Sequence, residues 1–79
     1  MNNKEKYAQV FMTCFSLEKD ALNDGLVYNS ISEWDSVGHM GMIAALEETF
    51  DIMMDTDDII DFSSYYKGME ILEKYDVKL

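Results

Sequence analysis

The stretch EWDSVGHMGMIAALEETFDI, residues 33–52, runs without proline from two helix-start residues, Asp35 and Ser36, to Phe50 and Asp51. Aspartate and serine are favoured where a helix begins, because a side-chain oxygen can take a free backbone N–H of the first turn. The pattern predicts a helix from Ser36 to about Phe50. At about 100 degrees per residue, Ile43, Leu46 and Phe50 point one way, while Val37, Met40 and Ala44 cluster roughly 130 degrees away. One packing surface does not easily bury both sets. The first stripe is read as core. The second, edged by Glu47, Glu48 and Asp51, is either an exposed docking strip or is covered by the long connection that precedes it; patterning does not choose.

Outward from this helix, the rest of the chain reads as further helices. Tyr7, Val10, Phe11 and Cys14 recur at i, i+3, i+4, i+7 over residues 3–16, one face of a first helix, with Cys14 expected to be a small buried side chain rather than a reactive thiol. Residues 17–35 lose the period and contain the turn signal Asn23-Asp24-Gly25. There Leu22, Leu26, Val27, Tyr28 and Ile31 are available to pack the connection on the core. Asp55-Thr56-Asp57-Asp58 offers caps for a short helix ending near Phe62, and Ser63 or Ser64 for a last one, with Tyr65, Met69, Leu72 and Tyr75 as its inward candidates. No strand is expected. The fold class is all-α: one domain over residues 1–79, a small bundle of four helices of which the third is short.

Composition narrows the function. Sixteen acidic residues against six lysines give a formal net charge of −10, which argues against nucleic acid and anionic membranes as partners and favours basic proteins. The charge is also segregated: eleven Asp or Glu lie between Asp20 and Asp61, with no lysine or arginine among them. No apolar run approaches the ~20 residues of a membrane span, and MNNKEKYAQV lacks the apolar centre of a secretion signal, so a cytoplasmic chain is expected. A single cysteine fits a reducing compartment.

Catalytic and metal motifs fail on spacing. Asp55, Asp57 and Asp61 suggest a calcium loop, but Ile60 stands where the central glycine belongs and Tyr66 where the glutamate does. His39, the only histidine, falls on the core side of the helix, and no acid is placed to orient it as a base for Ser36. Ser36 itself has two readings: it caps a backbone N–H, or it receives a phosphodiester favoured by the free N–H groups and positive dipole end of the helix. Trp34, just before the helix, is either a hydrophobic staple or part of the site.

Together, W-D-S-V at 34–37, A-L-E-E-x-F at 45–50, I-I-x-F at 59–62 and the terminal helix resemble the acyl carrier proteins and their peptidyl carrier relatives. The resemblance spans essentially the whole chain and is strongest over residues 33–64. It implies a four-helix carrier, not an enzyme, in which Ser36 is the attachment point for 4′-phosphopantetheine donated by coenzyme A. Asp35 would be presented with it to the phosphopantetheinyl transferase. Val37, Met40, Ala44, Glu47 and Glu48 would form the strip read by acyl-activating or acyl-transferring enzymes with basic patches, and the carrier would act as a monomer. Ile43, Leu46, Ile59 and Phe62 match positions that line the interior. Gly38 and Gly41 depart from the pattern, standing where fatty-acid-type carriers often have polar or acidic residues, and tryptophan before Asp-Ser is more like freestanding carriers of specialised pathways. The reading from another class is a non-covalent acidic adaptor, whose Val37/Met40 strip binds a basic helix and whose Ser36 only caps.

Overall fold

Phe11 organises the interior. In the computed structural model, which describes residues 1–79, its ring lies within 6.2 Å, centroid to centroid, of Tyr7, Phe15, Trp34, Phe62 and Tyr65. Tyr7, Phe11 and Phe15 recur at i, i+4, i+8 on α1 (Asn3–Phe15), so one helix face delivers three rings to one place. Of the other partners, Trp34 comes from the connection before α2 (Ser36–Phe50), Phe62 from the link after α3 (Thr56–Asp61) and Tyr65 from α4 (Tyr65–Glu73). The architecture is all-helical with four α-helices. A single 3-10 turn over Lys19–Ala21 interrupts the first connection, and one isolated bridge between Val27 and Ser64 is the only strand-like pairing. No helix is long and apolar enough to cross a membrane.

The bridge has a structural purpose. Tyr28 N–H donates to the Ser63 carbonyl at 2.8 Å and Tyr65 N–H to the Leu26 carbonyl at 2.9 Å, which sews the long connection to the α3–α4 link. Leu26 is buried there and Leu22 and Ile31 are half-buried, whereas Val27 and Tyr28 stay exposed. The expected Asn23-Asp24-Gly25 turn forms, closed by Gly25 N–H on Asn23 Oδ1 at 2.8 Å. Ser64 Oγ caps α4 by accepting from Lys67 N–H, and Tyr7 Oη donates to the buried Tyr65 carbonyl at 2.6 Å. Burial pushes the Tyr7 hydroxyl pKa well above its ordinary value.

Other expectations need correction. Cys14 is exposed: it lines an open groove with Thr13, Ala45 and Thr49, and such short side chains facing one another leave room for solvent. Partial burial still raises its thiol pKa, so it has no activated character. Tyr75 lies beyond the end of α4, where its hydroxyl donates to Asp58 and accepts from Asp55 N–H. Asp55 occupies the cap position of α3, yet its side chain makes no capping bond. The departure at Gly38 has a structural reason, since a Cβ there would stand 1.9 Å from the Glu33 carbonyl oxygen. The chain before α2 passes too close to the first turn for any side chain. Gly68 is bound in the same way, beneath the Phe62 ring and the Tyr7 hydroxyl.

Asp58 is a buried carboxylate on α3, held by Lys74 Nζ at 2.5 Å and by the Tyr75 hydroxyl at 2.5 Å. The Lys74 bond first, and the Tyr75 bond second, hold its pKa below the ordinary aspartate value of 3.8. This anchor ties the short α3 to the end of α4, which a helix of six residues could not maintain by its own hydrogen bonds.

Two predictions follow from the packing. Gly41 has nothing within 4 Å of its would-be Cβ. Gly41→Ala should therefore stabilise the fold by about 0.5–1 kcal/mol in urea unfolding, and Gly38→Ala or Gly68→Ala should destabilise it by about 1–3 kcal/mol. Because the Asp58 pKa is lower in the folded state, its contribution is fully present above the ordinary value of 3.8 and is lost as pH falls through the folded-state value. The melting-temperature gap between the parent and Asp58→Asn should be constant near neutrality and close in acid.

Candidate functional site

The start of α2 is set by a tryptophan. Trp34 is fully buried, stacked on Phe15 with ring centroids 5.3 Å apart. Its indole N–H, which can only donate, needs an acceptor in the interior and finds His39 Nδ1 at 2.9 Å. The Ile59 carbonyl, which can only accept, lies 2.8 Å from His39 Nε2. These partners define the imidazole as the neutral form with its proton on Nε2. They also join the preceding connection, α2 and α3 in one chain of hydrogen bonds. With both ring nitrogens engaged, His39 is not available as a base for Ser36.

Asp35 and Ser36 emerge from this anchor at the surface. Asp35 is the cap residue, with Oδ1 accepting from Gly38 N–H at 2.8 Å, and its carbonyl accepts from His39 N–H at 2.7 Å. Ser36 is the first helical residue, is exposed, and takes no part in the capping. The Ser36 and Val37 N–H groups, which precede the first intrahelical bond, have no acceptor in the chain. An exposed hydroxyl beside free donors at the positive end of a helix suits a phosphodiester.

The second stripe of α2 is exposed, so the connection does not cover it. Val37 is 80% exposed and Met40 55%, Ala44 is open to solvent, and Ile60 of α3 adds a neighbouring apolar side chain at 71%. Glu48 is exposed beside them. Glu47 differs from expectation: it is half-buried, and its Oε2 accepts from Met54 N–H at 2.9 Å, pinning the α2–α3 link. It contributes charge to the strip but not a free carboxylate. Between α2 and α3 an open cleft of about 320 Å³ begins at Ser36 and is lined by Tyr28, His39, Met40, Ile59, Ile60, Phe62 and Ser63, with no charged side chain.

Tyr28, His39 and Ile60 are thus site residues that the sequence reading did not assign. Ile60 had a signal, since two successive isoleucines on a short helix cannot both face the core. Tyr28 and His39 had none, because their place depends on the Val27–Ser64 bridge and the Trp34 anchor. Comparisons with protein-family models, with curated proteins and with solved structures give no match.

The division between Asp35 and Ser36 predicts unequal costs. Asp35→Ala should lose about 1 kcal/mol in chemical denaturation, and Ser36→Ala should remain within about 0.5 kcal/mol of the parent.

Proposed function

We propose that this chain is a carrier of thioester-bound groups of the acyl-carrier type, with Ser36 as the attachment point for 4′-phosphopantetheine. The observation that carries the reading is the separation of roles at the start of α2. Asp35 caps the helix, and the Ser36 hydroxyl is left exposed with no structural duty. This counts against the adaptor reading, in which Ser36 is there to cap. The resemblance of W-D-S-V, A-L-E-E-x-F and I-I-x-F to carrier proteins supplies the chemistry.

In the loading step, a transferase directs the Ser36 oxygen to the phosphorus that bears the pantetheine in coenzyme A. A Ser36 O–P bond forms, and the pyrophosphate P–O bond breaks with its electron pair leaving on adenosine 3′,5′-bisphosphate. The hydroxyl proton passes to a base of the transferase. The attached arm supplies a terminal thiol for acyl or aminoacyl transfer. The chain's own residues supply position: the free Ser36 and Val37 N–H groups would be available to the phosphate, and the uncharged cleft lies beside Ser36.

The exposed Val37, Met40 and Ile60 side chains, set in the acidic middle of the chain, suit brief docking of enzymes with basic, partly apolar patches. Charge steering gives fast encounter at modest affinity, which a carrier visiting several enzymes requires. Catalysis then rests with those enzymes, and the carrier contributes a tether that raises effective concentration.

Incubation with coenzyme A, magnesium and a broad-specificity phosphopantetheinyl transferase should add one phosphopantetheine by intact mass, and Ser36→Ala, folded by circular dichroism, should add none. Absence of the addition to the folded parent with several transferases would refute the proposal.

A further inference from the structure

Resting on the carrier reading above, we infer that the group carried at Ser36 stays outside the bundle and is a short acyl or aminoacyl group, because His39 bars the way between α2 and α3. The cleft between α2 and α3 is lined by Ser36, and His39, Ile59 and Phe62 stand in the same wall, between that residue and the interior. His39 Nε2–H closes on the Ile59 carbonyl, so α2 and α3 are joined at the point where a chain would have to pass. Parting them would strand the Ile59 carbonyl and one or both nitrogens of His39. It would also loosen the buried Trp34 N–H, in an interior where every buried side-chain polar atom has a partner.

Space behind the bar is also lacking. Phe11, Phe15, Trp34, Met42, Leu46 and Phe62 lie there at 1% exposure or less, most of them aromatic rings in mutual contact. Phe11 meets Phe15 and Trp34 edge to face, Phe11–Phe62 and Phe15–Trp34 stack, and admitting a tail among them would break these contacts in a close-packed interior. The three larger grooves, two of about 420 Å³ and one of about 400 Å³, do not have Ser36 in their walls: one lies between α1 and α4 beside Lys4, Lys19 and Tyr66, another beside Cys14 and Thr49, and the third beside Glu73 and Asp76. What remains beside Ser36 is the open mouth formed by Tyr28, Met40 and Ile60, which can cover a small group and would leave a long tail in water. Selection among cargoes would then fall to the partner enzymes, which read an exposed group directly.

The test loads the full chain with acetyl- or octanoyl-phosphopantetheine from the corresponding coenzyme A thioesters, checks each by intact mass, and compares melting temperatures and cleavage by hydroxylamine. Each methylene group enclosed by the fold would raise the melting temperature by about 3–6 °C. The inference predicts that the two forms melt less than about 10 °C apart and are cleaved at rates within about tenfold. An octanoyl form that exceeds either limit, by melting higher or by resisting cleavage, would overturn it with the carrier reading intact. Failure of every donor to add mass to the folded chain would instead overturn the carrier reading, and this inference with it.

Discussion

The hydrogen-bonded chain from the Trp34 indole through His39 to the Ile59 carbonyl is the constraint on which the rest depends. A tryptophan brings a large apolar surface and one donor that must be satisfied. Burying it against Phe11 and Phe15 draws the connection down onto the helices, and the resulting close approach of Glu33 to α2 leaves room only for glycine at position 38. Its donor requires an acceptor one turn into α2, and only His39 is there. The same imidazole then holds α3 through its free face. One side chain therefore fixes three elements, and the start of α2 with Asp35 and Ser36 is presented in a set orientation.

Charge works against this fold and is managed locally. Eleven carboxylates in the middle of the chain repel one another, and α3 alone begins with Asp57 and Asp58 in its first turn. Asp58 is turned inward onto Lys74 and Tyr75, which converts one repulsive charge into the anchor between α3 and the end of α4. Glu47 is likewise spent on the Met54 N–H. The carboxylates left in water are those that the proposed docking strip would offer to a basic surface. Under the carrier reading, stability and recognition draw on different members of one acidic set.

Much of this was legible from residue pattern. Two apolar sides on α2 implied either a covered or an exposed second stripe, and the bounds Ser36–Phe50 followed from the capping pair and the absence of proline. Elements whose geometry is set within a few residues, such as the Asn23-Asp24-Gly25 turn and the Ser64 cap, are of the same kind. What could not be read depends on contacts distant in sequence. The angular position of Cys14 is that of a core residue; its exposure comes from Ala45 and Thr49 across the groove, which are too short to cover it. Periodicity extended over Tyr75 cannot show that the helix stops at Glu73 and that a hydroxyl is used to hold Asp58. Trp34 admitted two roles because burial of its ring and satisfaction of its N–H are decided by His39 and Phe15 together.

The most direct test of the Trp34–His39–Ile59 constraint is nitrogen-detected NMR of His39 with hydrogen exchange of the Trp34 indole, on the unmodified protein near neutral pH. The account predicts a neutral imidazole protonated on Nε2, with Nδ1 coupled to an indole N–H that exchanges as slowly as the core amides. An imidazole protonated on Nδ1, or an indole proton exchanging at the rate of an exposed tryptophan, would contradict it.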